Sequence, residues 1–427
     1  MENNKGIKEL VSFCENKEII IYGDGNIGRT AFVFLNEIGI KIHGFAVTND
    51  VKKRRLFGAC IKTIDEYKQN LSLDEQKTIG ILVCMREKWI EDAIEKITQL
   101  DFCNYFVVRD LLFQHLFENA LFLKPYDAVE NKINVLMYHR VGSFEKDPFE
   151  LAIDDSTFEE QVKHLKENYT ILKSDARWSD IDEKSVVLTF DDGYVDFYSK
   201  VYPVLKKYNV PATVFISTGN IDTYNEFWWD ELEKLFSETS MIPEEITIID
   251  DKFIKDDYSD DESLLFAIHK VLLSLPHLER KKIINSLKKQ FNFSPLKRDE
   301  YRVLTRDEIA KLADDPLITI GAHTVSHIVC DKENEDAQRR EIIESKEKLE
   351  EIIKKPVRVF AYPNGGYNER TQEILSECGF IRAFTVELGC ADENSPQYQI
   401  PRNVVKAWEG KNFESVMRGM FTAFKTI

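Results

Sequence analysis

Three short apolar runs each end in residues that carry chemistry, and this constrains the fold more than any other feature of the chain. The first, Ser185–Gly193, reads SVVLTFDDG. Val186, Val187 and Leu188 form an apolar, partly β-branched run with charge before it and Gly193 after it, the pattern of a short buried strand. Asp191 and Asp192 follow at its C-terminal end, where α/β sheets and barrels present reactive groups. Two adjacent carboxylates are costly there without a cation, and a metal ion lets one be a ligand while the other stays free as a base. Alone, Asp-Asp-Gly is an ordinary turn cap. The second run, Pro316–Gly321, leads into Ala322, His323, Thr324, Val325, Ser326 and His327. Two histidines four apart fall on one face of a helical turn and suit two imidazoles on one ion. The two runs together supply Asp, His and His and leave one Asp over. The third, Val359–Gly366 (VFAYPNGG), is again a strand entering a Pro/Gly turn.

A chain of 427 residues has room for two domains, each with a core of its own. Its net charge of −17 argues against nucleic acid and anionic membrane as partners, but says little about a neutral sugar. The seven cysteines are scattered without a C-x-x-C pair, which points to reduced thiols rather than a disulfide framework or a zinc ribbon. The N-terminal stretch lacks the pattern of a signal peptide, and no later segment is long and apolar enough to span a bilayer. The expectation is a cytoplasmic protein.

Residues 1–118 read as a Rossmann-like, doubly wound domain. Glu18–Tyr22 is a strand, and Gly23-Asp24-Gly25-Asn26-Ile27-Gly28 opens the helix Arg29–Ile38, giving G-x-G-x-x-G in strand–turn–helix context. Further strands are expected at Ile42–Val47, Gly80–Cys84 and Asn104–Val108, with helices at Trp89–Leu100 and Leu111–Glu118. A nucleotide or nucleotide-sugar would sit at Gly23, Gly25 and Gly28, with Asp50 the one acid placed for a ribose. The alternative is a scaffold kept for packing or for a homo-oligomer contact. Residues 119–131 read as a linker.

TFDDG, HTVSH and FAYPNG in combination resemble the three leading motifs of the polysaccharide deacetylases, the nodulation-protein-B-like or family-four carbohydrate esterases. The resemblance covers about residues 132–427. It implies a distorted (β/α) barrel that binds one divalent metal and hydrolyses N-acetyl, or sometimes O-acetyl, groups on sugars. On this resemblance Asp192, His323 and His327 are the metal ligands and Asp191 is the base. The Tyr362-Pro363-Asn364 turn would meet the substrate, with the Asn364 backbone N–H aimed at the developing oxyanion. Zinc is the foremost metal; cobalt, nickel, manganese and iron also suit mixed nitrogen and oxygen ligands.

The chain departs from the family pattern twice. No histidine follows His327, so the family's late acid histidine is missing. His139, after the strand Lys132–Tyr138, is expected to serve instead, as in the poly-N-acetylglucosamine deacetylases, because first and last strands are neighbours in a closed barrel. The carboxylates beside it are expected to favour its imidazolium. Ala361 stands where many relatives carry an arginine that orients the base, and Arg402 in IPRN is expected in that place.

Strands and helices alternate along the second domain as a barrel requires, except over about residues 220–306, which read as a helix-rich insertion capping the barrel mouth. Trp228 and Trp229 at its start either stack on sugar rings or pack in a core. The acidic run Asp256–Glu262 lacks the spacing of a calcium loop and reads as a solvated loop with a helix-capping Asp or Ser. The function expected is a metal-dependent N-deacetylase acting on a nucleotide-, lipid- or oligosaccharide-linked amino sugar in surface polysaccharide biosynthesis. An O-deacetylase or deformylase would use the same chemistry. A non-catalytic sugar or nucleotide-sugar binding protein would have no use for the free carboxylate.

Overall fold

The computed structural model describes residues 3–23, 26–48, 55–56, 59–85, 89–108, 132–178, 184–239, 241–249, 251–293, 297–410, 413–414 and 416–417. The chain divides into two compact units, residues 1–128 with 414–427, and residues 129–413. Among the described residues no helix is long and apolar enough to cross a membrane.

The first unit is built on β1 (Ile19–Tyr22), whose IIIY run is buried along its whole length. Its side chains alternate between two cores: Ile19 and Ile21 join one cluster, Ile20 and Tyr22 another. A strand covered on both faces has to be apolar at every position, and this one is. Helices α1 (Asn3–Cys14) and α2 (Asn26–Glu37) flank β1, and β2 (Ile42–Val47) lies parallel to it. Next come β3 (Arg55–Leu56), β4 (Ala59–Thr63), α3 (Ile64–Asn70), α4 (Leu73–Thr78), β5 (Gly80–Val83), α5 (Ile90–Gln99) and β6 (Tyr105–Val107). The sheet order is β3-β4-β2-β1-β5-β6, parallel throughout except for β3. A Cβ on Gly28 would lie 1.9 Å from the Gly23 carbonyl oxygen, so α2 can start this close to β1 only on glycine. Gly25, Asp50, the expected helix at Leu111–Glu118 and the expected linker 119–131 lie outside the described residues.

The second unit is a curled sheet of parallel strands. These are β7 (Ile133–Tyr138), β11 (Ser185–Phe190), β12 (Ala212–Ile216), β15 (Ile318–Ala322), β16 (Val359–Ala361), β17 (Arg382–Phe384) and β18 (Asn403–Val404). Between β7 and β11 lie the short β8 (Arg140–Val141), β9 (Ala152–Ile153) and β10 (Thr170–Ile171), the last paired with β11. Neighbours run β17-β16-β15-β12-β11-β7-β18, and a parallel bridge between Phe384 and Ile400 draws the two ends of the curl together. Val135, Val187, Phe215, Val359 and Phe384 fill one core, taking alternate residues from β7, β11, β12, β16 and β17. Around the sheet run α6 (Asp155–Asn168), α7 (Tyr202–Tyr208), α11 (Arg306–Asp314), α12 (Glu335–Ile353) and α13 (Glu369–Glu377). Four of these five begin at an N-cap whose side chain accepts a backbone N–H: Asp154, Thr305, Asn334 and Asn368. The fifth, α7, instead continues a π-helical turn over Phe197–Val201.

The insertion between β12 and α11 has a core of its own around Leu232, Leu264, Ile268 and Leu287. Its helices are α8 (Trp228–Ser237), α9 (Asp261–Leu273) and α10 (His277–Gln290). It also contains a hairpin that the sequence reading lacked, β13 (Glu245–Ile248) with β14 (Asp251–Ile254). Asp260 caps α9 through the Ser263 N–H, which accounts for part of the acidic run without calcium.

Candidate active site

Strand register brings the chemical residues to one rim. Phe190 of β11 pairs with Tyr138 of β7, and Ala322 of β15 pairs with Ile216 of β12 and Phe360 of β16. The residues that follow these pairs, His139, Asp191, Ser217, His323 and Ala361, therefore stand side by side at the C-terminal ends of parallel strands. The chain turns sharply there: Asp192 and Gly193 both have positive φ, 73° and 77°. Asp tolerates this conformation and Gly suits it. The turn sends the two neighbouring carboxylates to different partners.

Asp192 goes to the histidines. Its Oδ1 lies 3.1 Å from His327 Nε2 and 3.5 Å from His323 Nε2. The donor atoms of Asp192, His323 and His327 all lie within 4.8 Å of one another, and all three residues are buried. His323 Nδ1 is 2.8 Å from the Ala361 carbonyl, so the ring donates there and keeps the Nε2 lone pair for a cation. Its own carbonyl accepts the Ser217 hydroxyl at 2.8 Å. Burial pushes the pKa of His327 down and keeps the ring neutral, as a metal ligand must be. Burial would push Asp192 up, but the His323 and His327 imidazoles beside it outweigh that and hold it well below the usual carboxylate range. A buried carboxylate with two imidazole nitrogens is a donor set that fits a divalent ion such as zinc.

The expected helical turn for the histidine pair is not formed. His323 follows directly on β15, and Thr324 (φ 62°) and His327 (φ 51°) are left-handed. The segment is a tight loop, because the Thr324 and Val325 carbonyls accept the N–H groups of Thr218 and Gly219 instead of continuing a helix. The rings still converge, with centroids 4.9 Å apart.

Asp191 goes to Arg402. Nη1 and Nη2 of the guanidinium meet Oδ1 and Oδ2 at 2.7 and 2.8 Å, a bidentate fork with both side chains buried. Nε of Arg402 donates to the Thr385 carbonyl at 2.8 Å, and Thr189 Oγ1 lies 3.3 Å from Nη1. Burial alone would raise the Asp191 pKa; Arg402 and His323 reverse this, and the carboxyl ionises below its ordinary range. Because β7 lies between β11 and β18, His139 ends the strand next to that of Asp191, and Arg402 reaches Asp191 from one strand further on. His139 is half-buried. Contrary to expectation, its imidazolium is not favoured: burial lowers its pKa and outweighs the pull of Asp192 and Asp191.

Of the two alternatives for Trp228 and Trp229, both side chains pack in cores. Trp229 is buried, its ring stacked on Phe227 at 4.5 Å and lying 4.5 Å from the His327 ring. Its indole N–H donates to the Tyr194 hydroxyl at 2.9 Å, which in turn donates to Asp230 at 2.7 Å. It therefore stands behind a candidate ligand and offers no open face to a sugar. Trp228 packs on the insertion core, stacked against His269 at 4.9 Å and covered by Arg280. Tyr362 is buried with its hydroxyl on the Tyr398 carbonyl, and Pro363 is buried too. Asn364 is exposed, with φ 51° in the turn that follows. Thr189, Ser217, Tyr194 and Asp230 were not anticipated, although Thr189 and Tyr194 lie within two residues of the Asp pair.

Residues 179–244 and 282–383 match the sequence profile of the family described as polysaccharide deacetylase. The YxkH protein of Bacillus subtilis is 24% identical over 300 residues, covering 68% of this chain and 77% of the relative. The poly-β-1,6-N-acetyl-D-glucosamine N-deacetylase of Staphylococcus aureus is 23% identical over 308 residues, covering 66% of this chain and 84% of that protein. The solved structure of IcaB from Ammonifex degensii superposes with a TM-score of 0.44 at 19% identity, over 68% of this chain and 97% of its own.

Proposed function

We propose that the chain is a metal-dependent hydrolase that removes the N-acetyl group of an amino sugar destined for a surface polysaccharide. The observation that carries this reading is the division of labour in the Asp pair. One carboxylate converges with two histidines, and its neighbour is held ionised by a buried arginine fork. A binding protein has no use for the second carboxylate.

A divalent ion held by Asp192, His323 and His327 would polarise the acetyl carbonyl and lower the pKa of a water molecule toward about 7. Asp191 would take that water's proton as its oxygen adds to the carbonyl carbon. Arg402 keeps Asp191 ionised and fixes the plane of its carboxylate. When the carbon–nitrogen bond breaks, the amine needs a proton, and His139, at the end of the strand beside that of Asp191, is the residue assigned to give it. Being neutral near pH 7, His139 has to be protonated before each turnover.

The parallel sheet of the first unit, with β1 central and the close approach of Gly28 to Gly23, supports a Rossmann-like scaffold. We infer that it serves a nucleotide-linked substrate. All seven cysteines are free, which favours a reducing compartment.

Acetate release by zinc-loaded protein tests the reading, comparing nucleotide-linked acetamido sugars with N-acetylglucosamine oligomers. Release from either class, falling about 10²–10⁴-fold in Asp191→Asn with metal content unchanged, is the expected result. Metal-loaded protein that releases acetate from neither class would refute it.

A further inference from the structure

His323 and His327 face the same carboxylate but are aimed by different means. The His323 ring is fixed by its bond to the Ala361 carbonyl. Nδ1 of His327 is buried with no hydrogen-bond partner among the described residues. A ligand histidine ordinarily has such a second bond to set the ring's direction. For His327 the direction has to come from its backbone and from the aromatic wall of Phe227 and Trp229.

That backbone is held in an uncommon shape. Thr324 and His327, at φ 62° and 51°, enclose Val325 and Ser326. The N–H groups of Val325 and Ser326 both donate to a single oxygen, Oε2 of Glu341, at 2.9 and 2.7 Å. Glu341 reaches them from α12, whose Lys348 also donates to the Thr218 carbonyl at 2.9 Å. On the opposite side the Val325 carbonyl accepts the Gly219 N–H at 2.7 Å, and a Cβ on Gly219 would come within 2.7 Å of the same oxygen. The loop is thus gripped from two sides. Without the Glu341 carboxylate two amides lose their acceptor, and the left-handed residues are free to relax toward the ordinary helical or extended regions. Either relaxation swings the imidazole away from Asp192.

We propose that Glu341 is a positioning residue for metal binding, which sets the aim of His327 by clamping the Val325 and Ser326 amides. The inference rests on the three-ligand reading above. It is tested on the purified full-length protein by zinc affinity, measured by chelator competition, together with hydrogen exchange at Val325 and Ser326 in the metal-free state. Glu341→Gln keeps an oxygen able to accept both N–H groups, and should bind zinc within about threefold of wild type. Glu341→Asp keeps the charge but is one methylene short, and Glu341→Ala keeps neither. Both should weaken zinc binding by about 10–100-fold and speed exchange at the two amides. In a His327→Ala background, Glu341→Asp should add no further loss, since it acts through that ligand. If Glu341→Ala does not fold, the Asp and Gln variants decide. Wild-type affinity in Glu341→Asp, or a loss in Glu341→Gln as large as in Glu341→Asp, would overturn the proposal. Wild-type protein that binds no zinc would overturn the three-ligand reading and this inference with it; intact wild-type binding with unchanged variants overturns this inference alone.

Discussion

Arg402 and Asp191 lie 211 positions apart in sequence and share two hydrogen bonds with no solvent access to the guanidinium. Removing the cation leaves burial as the dominant influence on Asp191, and burial raises a carboxyl pKa. Arg402→Gln should therefore move the acid limb of the kcat/KM profile to higher pH, and Arg402→Lys should move it less while still lowering kcat through loss of the fork. On the proposed mechanism His139 sets the other limb. With its pKa depressed, activity should peak on the acid side of neutrality and fall before pH reaches the ordinary histidine range, and His139→Ala should flatten that fall. A buried acid governs stability instead. Asp230 is pushed up to about 8, by burial first, so the folded chain keeps a proton that the unfolded chain has already lost. Its contribution is complete below the unfolded carboxyl pKa of about 4 and is lost as pH rises through about 8. In Asp230→Asn the thermal midpoint should decline less between those limits, which a pH series of melting curves reads directly.

At the level of elements, glycine contacts make the sharpest test. A Cβ at position 28 would overlap the Gly23 carbonyl, so Gly28→Ala has to push α2 off β1. Calorimetry should show destabilisation of about 1–3 kcal/mol, the range for overpacking, with zinc content unchanged. Strand and helix types were largely legible in the sequence because apolar runs and N-cap residues are local signals. Asn334 before Glu335–Ile353 and Thr305 before Arg306–Asp314 are N-cap residues of this kind. The stretch between β2 and β5 was not read, although Thr63 with Glu66 and Ser72 with Glu75 are capping boxes that announce α3 and α4. The hairpin of the insertion was hidden for a different reason. Ile246, Ile248 and Phe253 do alternate with polar residues, but over only four residues per strand and amid acidic turns. Within the site, Asp191, Asp192, His323 and His327 were legible because one motif carries each pair. Arg402 could be reached only by asking what replaces a missing arginine. Glu341, Ser217 and the placement of Trp229 behind His327 had no local signature, since each acts through contacts distant in sequence. The histidine spacing suggested a helical turn, but tertiary bonds to Thr218 and Gly219 overrode that preference.

For the molecule as a whole, the metal reading predicts close to one divalent ion per chain by elemental analysis, reduced in His323→Ala and His327→Ala. A fragment beginning near Asn131 should fold and retain its ion, because the second unit has its own sheet and cores. Acetate release by that fragment from oligomers but not from nucleotide-linked sugars would assign substrate docking to the first unit. The order in which the sheet closes has a consequence for synthesis. Strand β18 is the last to join: it pairs with β7, made more than half a chain earlier, it brings Arg402 to Asp191, and just before it Ile400 bridges back to Phe384. A nascent chain that has emerged as far as Phe384 already possesses all three candidate ligands, yet its Asp191 faces no cation and the curl is open. Hydrolytic activity should therefore switch on abruptly when residues 400–404 leave the ribosome, and chains stalled before that point should load metal without turning over substrate.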